Sequence, residues 1–134
     1  MRTGEKYPGV LASALKTIAA FLNTDGGTLL IGVSDSGDIK GLEKDFRLCS
    51  KHDADGLEQK LRSLFRDRFK PDTLGKVIIQ FEYLPEGVVC RIDIEPSHDV
   101  VYLDGKDVYA RDGNTSRRLE GPALVNWIRG RNEA

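Results

Sequence analysis

Long hydrophobic runs are missing from this sequence. No stretch approaches the ~20 apolar residues that carry a helix across a bilayer, and the nearest candidate, residues 18–33, is broken by Asn23-Thr24-Asp25-Gly26-Gly27. Cysteine is scarce: Cys49 and Cys90 lie far apart, match no metal or redox spacing, and follow no signal-peptide pattern, so reduced thiols in a cytoplasmic setting are expected. The two histidines, His52 and His98, have no partner at ligand spacing. Neither a zinc motif nor a Ser-His-Asp or Cys-His arrangement can be argued from them. An excess of one charge is lacking too: 20 Lys and Arg face 21 Asp and Glu, for a net charge of -1. That balance argues against wholesale coating of nucleic acid, because such affinity comes from neutralising phosphates.

What is present fits one domain of 134 residues, 40% hydrophobic and 31% charged, large enough to bury a core without disulfides or metal. Charge is unevenly spread. Acids dominate from Asp35 to Glu58, whereas Lys60, Arg62, Arg66, Arg68, Lys70 and Lys76 face only Asp67 and Asp72 in the next segment. A local basic face is compatible with a neutral whole.

Leu11, Leu15, Ile18 and Leu22, with Ala14 and Phe21, recur at intervals of three and four and predict a helix from about residue 9 to Asn23. Gly26 and Gly27 should end it, since the residue after a helix commonly needs positive φ. The apolar run Thr28 to Val33 reads as a buried central strand, followed by a turn at Ser34-Asp35-Ser36-Gly37 and a short return strand from Ile39 to Gly41. Asp55 with Glu58 suggests an N-cap and capping box for a second helix ending before Pro71, with Arg62, Arg66 and Lys70 along one face. Hairpins are expected for 77–84 with 88–94, and for 100–103 with 107–111 through Asp104-Gly105. Gly121-Pro122 opens a last helix with Leu124, Trp127 and Ile128 inward. The fold class is therefore α+β, a mixed or antiparallel sheet of hairpins flanked by about three helices.

Three stretches could carry chemistry. The glycine pair at 26–27 lets backbone amides approach an anion, yet it follows a helix C-terminus, where the dipole disfavours phosphate, so a glycine-capped helix entering a strand is the preferred reading. The turn Asp35-Ser36-Gly37-Asp38 offers too few oxygens to hold a cation by itself. The segment "VYARDGNTSRRLEG" combines Arg111, Arg117 and Arg118 with Asn114, Thr115 and Ser116, fork donors beside short polar groups that suit phosphate oxygens. Equally, Arg111 could pair with Asp112 while Asn114 shapes a turn.

Taken together, "LKTIAAFLNTDGGTLLIGVSDSGDIKGLEKDF" and "VYARDGNTSRRLEG" resemble the Schlafen AlbA-like family, a DNA-binding domain once described as a divergent AAA domain. The resemblance covers about Lys6 to Arg131; Asn23, Thr24, Gly26, Gly27, Gly32, Asp35 and Gly37 match the first motif, and Arg111, Gly113, Asn114, Thr115 and Arg118 the second. It implies a nucleic-acid-binding module, for DNA or RNA, within a larger prokaryotic protein such as a transcriptional regulator. Lys16, Asn23, Thr24, Gly26, Gly27, Arg111, Asn114, Thr115, Ser116, Arg117 and Arg118 are the candidate contact residues. Members usually carry a Glu-Phe-Lys segment ahead of the first helix, and in Schlafen-type ribonucleases two glutamates there join a downstream aspartate on a metal. This chain opens Met1-Arg2-Thr3-Gly4-Glu5-Lys6, so residues 1–134 are expected to be one domain cut at its N-terminus from a longer protein. Asp35, with Asp38, would be all that remains of an acidic trio, too little to fix a hydrolytic ion. Neither catalysis nor a cofactor is expected of this chain, and a divalent metal only with the upstream segment restored. The alternatives are a remnant of a metal-dependent endoribonuclease, a nucleotide-binding domain without a Walker motif, and a homodimerising interaction domain.

Overall fold

A computed structural model of the chain describes residues 9–34, 36–42, 46–47 and 53–133. Asp35, Cys49 and His52 lie outside the described residues. The element order is α1 (Gly9–Asn23), β1 (Gly27–Ile31), α2 (Ala54–Arg68), β2 (Phe69–Lys70), a 3-10 turn at Leu74–Lys76, β3 (Val77–Leu84), β4 (Gly87–Ile94), β5 (Tyr102–Leu103), β6 (Val108–Asp112), β7 (Thr115–Leu119) and α3 (Gly121–Glu133). Among the described residues all strand pairs are antiparallel and form three sheets, β1-β4-β3, β2-β5 and β6-β7. The α+β class is as the periodicity predicts.

The core follows from two periodicities meeting. Leu11, Leu15, Ile18 and Leu22 form the buried stripe of α1, and Leu57, Leu61, Leu64 and Phe65 that of α2. Both stripes pack with the inward residues Ile31, Val77, Ile79, Cys90, Ile92 and Ile94 of the three-stranded sheet. Phe69 closes this core, its ring stacked on Phe65 with centroids 5.7 Å apart.

Four details depart from the sequence expectation. The strand after Gly26-Gly27 is shorter than expected and lies at the sheet edge, with Leu30 46% exposed; the central strand is β4. An apolar run reports burial of a segment, whereas its place in a sheet is set by which neighbours pair with it. Ile39 makes only a single bridge to Val33 rather than a strand, because Lys40 and Gly41 both turn their amides onto the Gly32 carbonyl. The N-cap of α2 is Asp53, whose carboxylate accepts from the Gly56 amide at 2.9 Å, two residues before the expected Asp55. The helix stops at Arg68, so Lys70 belongs to β2 and the three-residue basic stripe does not form; Arg62 instead pairs with Glu58 at 2.9 Å.

The largest difference is the last hairpin. Tyr102–Leu103 pairs with Phe69–Lys70, and an isolated bridge joins Leu103 to Asp107. Val108–Asp112 pairs instead with Thr115–Leu119 around a two-residue turn, Gly113-Asn114, where Gly113 adopts φ +64°. What reads as a polar loop in "TSRR" is strand β7, with Asn114 in the turn before it. Leu124, Trp127 and Ile128 of α3 do face the domain, but they are only half-buried.

Candidate nucleic-acid interface

The helix-to-strand junction is built by carbonyls that α1 leaves without helical partners. The Phe21 carbonyl receives the Gly26 amide at 2.9 Å, the Leu22 carbonyl receives Ser97 at 2.7 Å, and the Asn23 carbonyl receives the Arg131 guanidinium at 2.8 Å. Gly26 sits at φ +74°, and a Cβ there would lie 2.5 Å from the Ile94 carbonyl oxygen, so glycine is required by both conformation and space. Arg131 also donates to the Ser97 and His98 carbonyls and stacks on Trp127, which fastens α3 to the end of α1. A cation at a helix C-terminus is favourably placed against the dipole.

Asn23 has an internal role. Its side chain is 2% exposed; its amide donates to the Val101 and Tyr109 carbonyls at 2.9 Å each, and its oxygen accepts the Val101 amide at 2.7 Å. The group is saturated, and it clamps the end of α1 to the segments before and within β6. Thr24 is bonded in a similar way: its hydroxyl donates to the Ala20 carbonyl at 2.7 Å and accepts the Arg111 amide at 2.9 Å. Asn23 and Thr24 therefore dock the β6-β7 hairpin on α1 and set where Arg111 emerges.

Arg111 is the focus of the resulting surface. Its guanidinium lies 4.9 Å above the Phe21 ring centroid and donates to Ser116 Oγ at 2.8 Å across the hairpin. Ser116 Oγ in turn lies 3.4 Å from the Thr17 hydroxyl of α1. Arg111 forms no ion pair with any carboxylate among the described residues. Phe21, Thr24, Asp25, Gly26, Arg111 and Gly113, with Asn114, line a shallow recess of about 470 Å³ beside it. The recess contains one opposing charge, Asp25.

The other two arginines differ in their relation to it. Successive strand residues alternate faces, so Arg118 lies on the same side of the hairpin as Ser116 and Arg111, and Arg117 on the opposite side. Arg117 pairs with Asp112 at 3.2 Å, and Arg118 lies 3.7 Å from Asp107 and 3.4 Å from Glu120. These pairs are exposed, Arg117 to 65%, and contribute little to stability, ~0–1 kcal/mol each. Arg118 also lies across the ladder from Tyr109, whose phenol pKa is raised mainly by burial and further by Asp107. Asn114 and Thr115 are exposed at the turn, and Lys16 is exposed on α1 next to Thr17. Sequence reasoning thus brings Thr24, Gly26, Arg111, Asn114 and Ser116 to one place, with Gly27 adjoining. It missed Phe21 and Asp25, and the only signal for either was adjacency to the glycine pair.

The fold has a solved counterpart. A protein designated DIP2311 from Corynebacterium diphtheriae is similar in structure, with a TM-score of 0.61 at 18% sequence identity. The match covers 90% of this chain and 21% of that one, so this chain spans about a fifth of its length. At this identity the likeness concerns the fold alone. A family model described as Schlafen, AlbA_2 matches residues 3–120, which leaves α3 beyond the match and takes in the Arg111 recess and both flanking segments. On that match the chain belongs to the Schlafen AlbA_2 family.

Proposed function

We propose that this domain binds nucleic acid through its phosphate backbone, with Arg111 as the principal contact. The observation that carries the reading is the state of Arg111: a guanidinium held by the Phe21 ring and Ser116, with no ion pair to a described carboxylate, at the mouth of an open recess. Guanidinium presents a planar fork that matches two phosphate oxygens, and prior ordering lowers the entropy lost on binding. Asn114 and Thr115 add short polar groups at the adjoining turn, and Lys16, Arg117 and Arg118 are exposed cations of the same domain. The exposed pairs of Arg117 and Arg118 exchange readily for phosphate, since such pairs are weakly bound in water. Membership of the Schlafen AlbA_2 family is in keeping with the same reading.

The test is a fluorescence-anisotropy titration with labelled single- and double-stranded DNA and RNA across salt concentrations. Backbone binding requires log affinity to fall linearly with log salt, by about 0.7 to 0.9 per phosphate engaged. Undetectable or salt-independent association with all four probes would defeat the proposal.

A further inference from the structure

A second recess, of about 700 Å³, shares Thr24 with the Arg111 recess. The rest of its lining comes from the segment 97–100 and from Ile128 and Arg131 of α3. That segment lies outside any helix or strand, yet its backbone is tied down. The Ser97 amide donates to the Leu22 carbonyl at 2.7 Å, and Arg131 donates to the Ser97 and His98 carbonyls at 2.9 and 2.8 Å. The backbone of His98 is thereby fixed at the end of α1, while its imidazole is exposed and makes no hydrogen bond or ion pair among the described residues. An aromatic ring on a pinned backbone loses little freedom when a ligand stacks on it.

The two recesses differ in charge. Arg111 has no ion pair among the described residues, which suits a phosphate. In the second recess Arg131 already directs its guanidinium to the Asn23, Ser97 and His98 carbonyls and lies 5.0 Å from the Trp127 ring centroid. Asp99 is exposed there without a hydrogen bond or ion pair among the described residues, and Val100 and Ile128 add half-buried aliphatic surface. A phosphate entering this recess would meet a free carboxylate and a cation committed elsewhere. A flat, uncharged base would meet an aromatic ring, aliphatic surface and a hydrogen-bond acceptor.

We infer that the second recess takes an unpaired nucleobase, stacked on His98, next to the phosphate held by Arg111, so that the substrate class of the site is single-stranded nucleic acid. The inference rests on Arg111 as the phosphate contact and adds what lies beside that phosphate. A single strand offers charged backbone and flat base side by side, and the shared Thr24 makes the two recesses neighbours that one stretch of strand can fill. Bases of a duplex are paired and stacked inside it, so none reaches the recess without being unstacked. Stacking of this kind tolerates any sequence, because every base has a π-face.

Oligonucleotides that keep every phosphate but lose their bases separate the two contacts. Anisotropy titrations compare intact and fully abasic single strands of equal length, as DNA and as RNA. Intact strands of at least one of the two sugars should bind about five- to ten-fold more tightly than their abasic counterparts, the lower end of what one base–aromatic stack contributes. His98→Ala keeps the carbonyl that Arg131 uses, and should remove most of that margin while leaving the salt slope and the duplex affinity as they were. His98→Phe should retain the margin. Equal affinity for intact and abasic strands in both sugars, or an undiminished margin in His98→Ala, overturns the inference; a salt slope still reduced by Arg111→Gln would then leave the phosphate contact standing without the base. Absence of any salt dependence overturns both readings.

Discussion

Replacing Asn23 by alanine removes the polar group that clamps the end of α1 to Val101 and β6 beside the Arg111 recess. The side chain makes three buried hydrogen bonds of 2.7–2.9 Å, to the Val101 amide, the Val101 carbonyl and the Tyr109 carbonyl. Truncation leaves all three backbone groups without that partner in a site from which water is excluded, and a buried orphan costs ~1–3 kcal/mol. Carbonyls suffer less than amides because of their second lone pair, so the expected loss is about 3–5 kcal/mol in total. Against a typical stability of ~5–15 kcal/mol that is a large fraction, and it corresponds to a fall in Tm of roughly 10 °C or more. Urea unfolding followed by Trp127 fluorescence and far-ultraviolet circular dichroism measures it. Asn23→Asp sharpens the test. A carboxylate there would be buried and aimed at two carbonyl oxygens, which raises its folded pKa above the unfolded ~3.9. A raised folded pKa means the residue is tolerated best below the unfolded value and progressively worse as pH rises through the folded one. Asn23→Asp is therefore less destabilised at pH 4 than at pH 7. A loss below ~1 kcal/mol for Asn23→Ala, or no pH dependence for Asn23→Asp, would refute the clamp.

Other outcomes follow from the same geometry. Gly26→Ala, forced to φ +74° with its Cβ 2.5 Å from the Ile94 carbonyl, should destabilise by at least ~2 kcal/mol in the same unfolding assay. Asp104 is held below its usual carboxylate range first by its hydrogen bond to Arg68, a bidentate contact at 2.6 and 2.7 Å. Because a lowered folded pKa contributes stability above the unfolded value that is lost as pH falls, Asp104→Asn should cost about 0.5–1 kcal/mol at pH 7, discounted for its partial exposure, and almost nothing near pH 2–3. Asparagine tolerates the φ +58° of this position, so the variant isolates the charge. Asp25→Asn removes the opposing charge from the Arg111 recess and should tighten nucleic-acid binding about two- to five-fold at low salt by anisotropy.

How far the sequence disclosed this molecule depends on the range of the interactions concerned. Helix α1 is plain in Leu11, Leu15, Ile18 and Leu22, because a 3.6-residue period is a local property, and its end is plain in Gly26 for the same reason. Strand β7 was hidden: Thr115-Ser116-Arg117-Arg118 lacks the apolar alternation that marks a strand, and its pairing with β6 comes from the Gly113-Asn114 turn. That turn was available as a signal, since Gly-Asn after Val108–Asp112 is a two-residue hairpin pattern. The role of Asn23 could not be read, because its partners Val101 and Tyr109 are 78 and 86 residues away. The nearness of Arg111, Arg117 and Arg118 in the sequence suggested one cationic cluster. Strand alternation turns Arg117 to the other face, and the carboxylates at Asp107, Asp112 and Glu120 engage Arg117 and Arg118, leaving Arg111 distinct in having no ion pair among the described residues.

The central claim is that one preorganised guanidinium anchors the phosphate backbone, and the salt slope of Arg111→Gln against the unsubstituted chain tests it most directly. The account predicts a slope shallower by about one phosphate contact, ~0.7–0.9, and an affinity lower by roughly ten-fold at low salt, with Arg117→Gln changing either quantity much less. Equal slopes and equal affinities for Arg111→Gln and the unsubstituted chain would contradict it.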